Sequence, residues 1–89
     1  MYEIDAIVVG KVQGVGFRAF AKKHASALWL TGFAENKGQG ELHIVVQGAE
    51  EKLKKFIGYL QKGPFLARVR NVEVEWREPK EHFKEFLIV

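Results

Sequence analysis

Between Tyr2 and Leu28 the spacing of apolar residues changes, and the change falls on a pair of glycines. In "YEIDAIVVGKV" apolar side chains alternate, with Ile4, Ala6 and Val8 on one face and Ile7 and Val9 on the other. That is the pattern of a strand buried on one side and partly on the other. From Phe17 onward, Phe17, Phe20, Ala21, Ala25 and Leu28 recur at intervals of three and four, the stripe of an amphipathic helix running to about Leu28. A chain whose period switches across Gly14-Val15-Gly16 must turn sharply from strand into helix there, and glycine is the residue that makes such a turn without steric cost.

The remaining segments limit the fold to a short menu. "GFAENKGQGELHIVVQG" reads as a hairpin, with strands over Gly32–Asn36 and Glu41–Gln47 and a loop at Lys37-Gly38-Gln39-Gly40. Leu53, Phe56, Ile57 and Leu60 give a second helix over Glu50–Lys62, stopped by Gly63-Pro64. Val72, Val74 and Trp76 alternate as a fourth strand, and "HFKEFLIV" closes the chain as a short strand with Phe86 and Ile88 inward. The order β-α-β-β-α-β plus one strand predicts an α+β fold of the ferredoxin-like, split βαβ kind, in which an antiparallel sheet carries two helices on one face. Many functions share that sandwich, so the site must decide among them.

Composition narrows the classes. At 89 residues the chain is expected to form one domain over 1–89, and 47% apolar with 28% charged residues suffices for a packed core. No apolar run approaches the ~18 residues of a membrane span, and the acidic start Met1-Tyr2-Glu3-Ile4-Asp5 lacks the order of a secretion signal. A cytoplasmic protein with no membrane partner is expected. The absence of cysteine excludes a thiol nucleophile and thiolate metal sites, and His24, His43 and His82 fall in different elements, so no metal site is expected. The net charge of +3 favours anionic partners, yet Lys52, Lys54, Lys55 and Lys62 read as the solvated face of a helix rather than a nucleic-acid patch.

Three phosphate-related motifs compete for the glycine loop. Gly14-Val15-Gly16-Phe17-Arg18-Ala19 satisfies G-x-G-x-x-A, but the next strand pairs through a hairpin and the chain is too short for two mononucleotide-binding halves. The Walker pattern is absent. An RNA-recognition signature would need an aromatic at Val15 and a place on the third strand. What the residues themselves support is a nest. Glycines at 14 and 16 let consecutive N–H groups turn inward at the start of a helix, where the dipole also favours an anion. Arg18, in the first helical turn, could add a planar, two-pronged grip. For the loop taken alone, a tight turn with Arg18 on the surface is the plainer reading.

The loop has company. Gly10-Lys11-Val12-Gln13-Gly14-Val15-Gly16-Phe17-Arg18, then Thr31-Gly32-Phe33-Ala34-Glu35-Asn36, Gly40, Gly48 and Gly63-Pro64 before Ala67-Arg68-Val69, resembles the acylphosphatase family over nearly the whole chain. The resemblance implies metal-free, cofactor-free hydrolysis of the carboxyl-phosphate bond of a small-molecule acyl phosphate, giving a carboxylate and inorganic phosphate. By position, Arg18 and the backbone of Gln13, Gly14, Val15, Gly16 and Phe17 would bind the phosphate, and Asn36 would place the attacking water. A monomer that binds no nucleic acid is expected. The alternative is a non-catalytic anion-binding or regulatory module on the same fold.

The chain departs from the family at three places. Trp29 stands where Gly is usual, Gln39 where Asp is frequent, and Lys37 where Thr or Ser often follows the Asn. A bulky residue in a left-handed C-cap costs on the order of 1 kcal/mol, so the first helix is expected to end differently here. Lys37 bears on how Asn36 is oriented. Among the other candidates, His24 reads as a partly exposed filler and His43 as a solvent-side strand residue. Trp29, Trp76 and Phe33 read as packing residues, and Glu35 as turned away from Asn36.

Overall fold

The computed structural model describes residues 1–89. Its first strand, β1 (Tyr2–Lys11), buries Ile4, Ala6 and Val8 completely, as the alternation requires. β1 is followed by α1 (Phe17–Ala27), β2 (Thr31–Lys37), β3 (Glu41–Gly48), α2 (Glu50–Lys62), β4 (Arg68–Arg77) and β5 (Phe86–Ile88). The sheet order is β4-β1-β3-β2-β5. β1 pairs antiparallel with β3, Ile4 opposite Val46 and Ala6 opposite Ile44, so the inward residues of the two strands share one face. Phe17, Ala21 and Ala25 of α1 and Leu53, Phe56 and Leu60 of α2 close that face into one core. Two helices on one face of a sheet is the ferredoxin-like sandwich expected from the element order.

The sheet is mixed, where the sequence suggested a fully antiparallel one. β5 pairs parallel with β2, Gly32 opposite Phe86 and Ala34 opposite Ile88. The reason is topological. β4 finishes beside Glu3, at the end of the sheet where β2 begins. Residues 78–85 cross to the far edge from there, and the chain enters β5 running the same way as β2. One glycine in β1 is required by close approach. At Gly10, with φ 140°, a Cβ would lie 2.1 Å from the Arg68 carbonyl oxygen, at the point where the β1–β4 register shifts.

Two tryptophan expectations are corrected. α1 does end in a left-handed residue, and that residue is Trp29, at φ 61°. The Leu30 N–H reaches Ala25 O at 2.8 Å and the Trp29 N–H reaches Ser26 O at 3.1 Å, the paired bonds of a Schellman stop. These bonds satisfy two of the orphaned carbonyls of α1, and they outweigh a strain on the order of 1 kcal/mol. Nor does the ring pack, since it is 87% exposed. Trp76 is also partly exposed, meeting Tyr2 edge-on at 6.3 Å.

Candidate active site

The bend between β1 and α1 leaves donors unused. Gly14 (φ 71°) and Gly16 (φ 77°) are both left-handed, and Gly16 caps α1 with no side-chain hydrogen bond. The first bond of α1 runs from the Phe20 N–H to Gly16 O. None of the backbone N–H groups from Gln13 to Ala19 donates to a protein acceptor. A run of free donors at a helix N-terminus with no carboxylate in its first turn is an anion site in physical terms.

A cavity of about 190 Å³ opens beside these donors, lined by Gly14, Gly16, Phe17, Arg18, Asn36 and Ile88 among others. Arg18, on the first turn of α1, is half-buried, and its Nη1 donates to Val89 O at 3.0 Å. That bond ties the guanidinium at the cavity to the chain just beyond β5, the edge strand beside β2. Asn36 sits opposite Leu42 near the end of β2, on the helix-covered face with Ala34. Its Oδ1 is buried and has no hydrogen-bond partner. With no protein donor and a cavity beside it, this amide oxygen is open to a hydrogen-bond donor that enters the cavity.

Of the residues singled out in the sequence, Gly14, Gly16, Phe17, Arg18 and Asn36 come together at this cavity. Gln13 and Val15 flank it instead. The Gln13 side chain turns to the β2–β3 hairpin, where Nε2 lies 2.8 Å from Gly38 O, 3.0 Å from Glu41 O and 3.4 Å from Lys37 O. Val15 packs against the core. Both keep their N–H groups free. Sequence reasoning saw only the backbone of Gln13 and missed its side chain, which ties the anion loop to the strand pair carrying Asn36. It also placed Ile88 inward, whereas Ile88 is 42% exposed and forms part of the cavity wall. No local signal marks either role, because each depends on a partner more than twenty residues away.

The other candidates fall away from the cavity. Lys37 is exposed, with Nζ 3.6 Å from Glu35 Oε1, so these neighbours of Asn36 turn to the opposite face. Gln39 is exposed in the hairpin turn. His24 stacks on Tyr59, ring centroids 3.8 Å apart, and meets Phe20 edge-on. Burial, followed by the Lys23 charge, pushes its pKa below the ordinary value. His43 lies on the outer face as expected but is half-covered, with Nε2 2.8 Å from Asp5 Oδ1. No three His, Asp or Glu side chains are grouped as metal ligands would be.

A free-donor nest, an arginine and an unpartnered amide thus lie together at one cavity of a small α+β protein of the ferredoxin-like class. The family model described as Acylphosphatase matches residues 4–88. The chain is 50% identical over 78 residues to an acylphosphatase of Thermus thermophilus, covering 88% of this chain and 89% of that one. It is 45% identical over 86 residues to an acylphosphatase of Caldivirga maquilingensis, covering 96% and 90%. Among solved structures, the Bacillus subtilis acylphosphatase superposes with a TM-score of 0.96 at 32% identity, covering 100% of this chain and 99% of that one. The chain therefore belongs to the acylphosphatase family. The known activity of that family is hydrolysis of acyl phosphates, which decides between an enzyme and a non-catalytic module in favour of the enzyme.

Proposed function

We propose that the loop Gln13–Phe17 and Arg18 hold the phosphoryl group of the acyl phosphate while Asn36 positions the water that attacks it. The observation that carries this reading is the buried, unpartnered Asn36 Oδ1 in the wall of the same cavity as Arg18 and the glycine nest. A carbonyl oxygen in that setting can accept a hydrogen from water and aim its lone pair at phosphorus. The free N–H groups and the guanidinium meet the oxygens of the phosphoryl group, whose charge they stabilise in the transition state. Water oxygen bonds to phosphorus, the bond from phosphorus to the acyl oxygen breaks, and the electron pair leaves with the carboxylate. A carboxylate is a weak base and departs without a general acid. The proton of the attacking water passes to a phosphate oxygen, so no histidine is needed at the site. Phosphoryl transfer depends mainly on positioning and charge stabilisation, which a rigid nest supplies.

We further read the chain as a monomer acting on a small-molecule acyl phosphate without a metal or cofactor. Phosphate release from a synthetic aryl acyl phosphate tests the proposal. Turnover in excess chelator, inhibited competitively by inorganic phosphate, is expected. Turnover lost to chelator and restored by a divalent ion would overturn the metal-free route. A melting temperature indifferent to millimolar phosphate at constant ionic strength would remove the nest.

A further inference from the structure

Residues 52–72 carry six cations and no carboxylate, whereas residues 73–85 carry five carboxylates. The fold gathers part of this excess at one place. Lys62 at the end of α2, Lys11 at the end of β1, and Arg68 and Arg70 at the start of β4 line a cleft of about 510 Å³. All four are exposed, and none takes part in an ion pair or a side-chain hydrogen bond. Between Lys62 and Arg68 the chain makes a tight turn, closed by the Ala67 N–H on Pro64 O at 3.0 Å. Its apex holds Phe65, 95% exposed, and Leu66, 63% exposed.

The turn is presented rigidly. Its base is anchored by the Gly63 N–H on Tyr59 O at 2.8 Å and by the buried Ala67. Gly63 fits so closely that a Cβ there would meet the Phe17 ring at 3.0 Å. A preformed apolar tip keeps its exposure without the entropy cost of ordering a loop on contact. Such a tip costs solubility unless something covers it.

From these observations we propose that the turn Pro64–Ala67 and its collar of Lys11, Lys62, Arg68 and Arg70 form a docking surface for an anionic lipid bilayer. Phe65 and Leu66 enter the boundary between headgroups and acyl chains, and the four cations stay at the level of the phosphates. A second copy of this chain fits poorly, because isologous pairing would bring the two collars together. Single-stranded nucleic acid fits less well than lipid. It calls for a basic track with several stacking rings, and this surface has one aromatic and one aliphatic residue at a point. Because Gly63 packs on Phe17, docking sets the phosphate loop near the membrane surface. A contact of this kind leaves no trace in a search for spanning segments, which is why the sequence pointed to no membrane partner. The inference does not depend on the catalytic reading.

Co-sedimentation of the whole chain with vesicles of phosphatidylcholine alone, or mixed with phosphatidylserine, tests it. Binding to the mixed vesicles only, weakening as salt is added, is expected. The double variant Phe65→Ser/Leu66→Ser should lose about tenfold or more of the partition coefficient. Each of Arg68→Gln and Arg70→Gln should lose about fivefold. All of these side chains are exposed, so melting curves should match the parent, and phosphate release from a soluble substrate should be unchanged. Phe65→Trp should give emission that shifts to the blue on the mixed vesicles. No binding to anionic vesicles would overturn the proposal, as would binding that ignores Phe65→Ser/Leu66→Ser. So would a single-stranded oligonucleotide that binds more tightly than the vesicles and loses affinity through the same variants.

Discussion

Two polar clusters lie on opposite faces of the same sheet, and only one is finished. On the outer face, Gln47 is 1% exposed and Glu3 4% exposed, and the side-chain polar atoms of both are engaged. Gln47 Nε2 donates to Glu3 Oε1 at 2.8 Å and to Glu81 O at 2.5 Å, and its Oε1 accepts the Phe83 N–H at 3.1 Å. Arg77 bonds Glu3 through Nε and Asp5 through Nη1, and His43 takes the other Asp5 oxygen. The hydrogen bond to the Glu3 carboxylate raises the Arg77 pKa above its ordinary value. At the loop end of the inner face, the Gln13–Ala19 donors and Asn36 Oδ1 are free.

The larger cavity, about 600 Å³, belongs to the finished cluster, and the smaller, about 190 Å³, to the unfinished one. The proposed site is therefore not the larger of the two cavities. Polar groups whose bonds are complete hold residues 78–85 against the sheet. In the proposed function, the polar groups left incomplete are those to which the phosphoryl group and the attacking water supply partners.

The sharpest way to break this contrast is to cut both arginines. Arg18→Ala should lower kcat/KM by at least about 10³-fold and weaken phosphate binding, with Arg18→Lys recovering little because the planar fork is gone. Asn36→Ala should lose about 10²–10⁴-fold in kcat while binding inorganic phosphate nearly as the parent does. Arg77→Met should leave kcat/KM close to the parent and lower the melting temperature instead. Calorimetric phosphate affinity beside turnover reads all three, and a catalytic loss in Arg77→Met with none in Arg18→Ala would invert the assignment.

The next largest effect is on stability. Gln47→Leu strands Glu3 Oε1, Glu81 O and the Phe83 N–H, which should cost at least about 2 kcal/mol. For a chain of this size that is a fall of roughly 10 °C in Tm. The activity of the folded fraction should persist. An unchanged Tm would show that the strap 78–85 is held by something other than this amide.

Trp29→Gly should act in the opposite direction. Relief of a left-handed strain on the order of 1 kcal/mol, less about 0.5–1 kcal/mol for the added freedom of the unfolded chain, leaves a gain of up to about 0.5 kcal/mol with no packing lost. Urea melts of the two proteins would measure it, and a destabilised variant would mean that the exposed ring does more than cap.

The smallest effect is that of His24. Its folded pKa lies below the ordinary 6.5, so below that value the unfolded chain binds more protons and stability falls with pH. The contribution is fully present above pH 6.5 and lost as the pH drops through the folded pKa. Stability curves of His24→Gln and the parent should therefore converge toward the acid side. Curves that stay parallel would place the histidine in water.

The sequence alone determined the layers and the chemistry-bearing types. Alternation at Ile4, Ala6 and Val8, the helical stripes of Phe17–Leu28 and Leu53–Leu60, and Gly14 with Gly16 each act through neighbours a few residues away, so local periodicity and steric freedom suffice to read them. Arg18 was legible as a cation on a first helical turn, and Asn36 only through its family resemblance, because nothing local distinguishes one strand amide from another. Tertiary structure alone decided the parallel entry of β5, the hold of Val89 O on Arg18, the tie from Gln13 to the hairpin and the loneliness of Asn36 Oδ1. Each of these joins residues distant in sequence. Whether a polar group ends with or without a partner depends on what the completed fold brings within hydrogen-bonding reach, which no window of the chain contains.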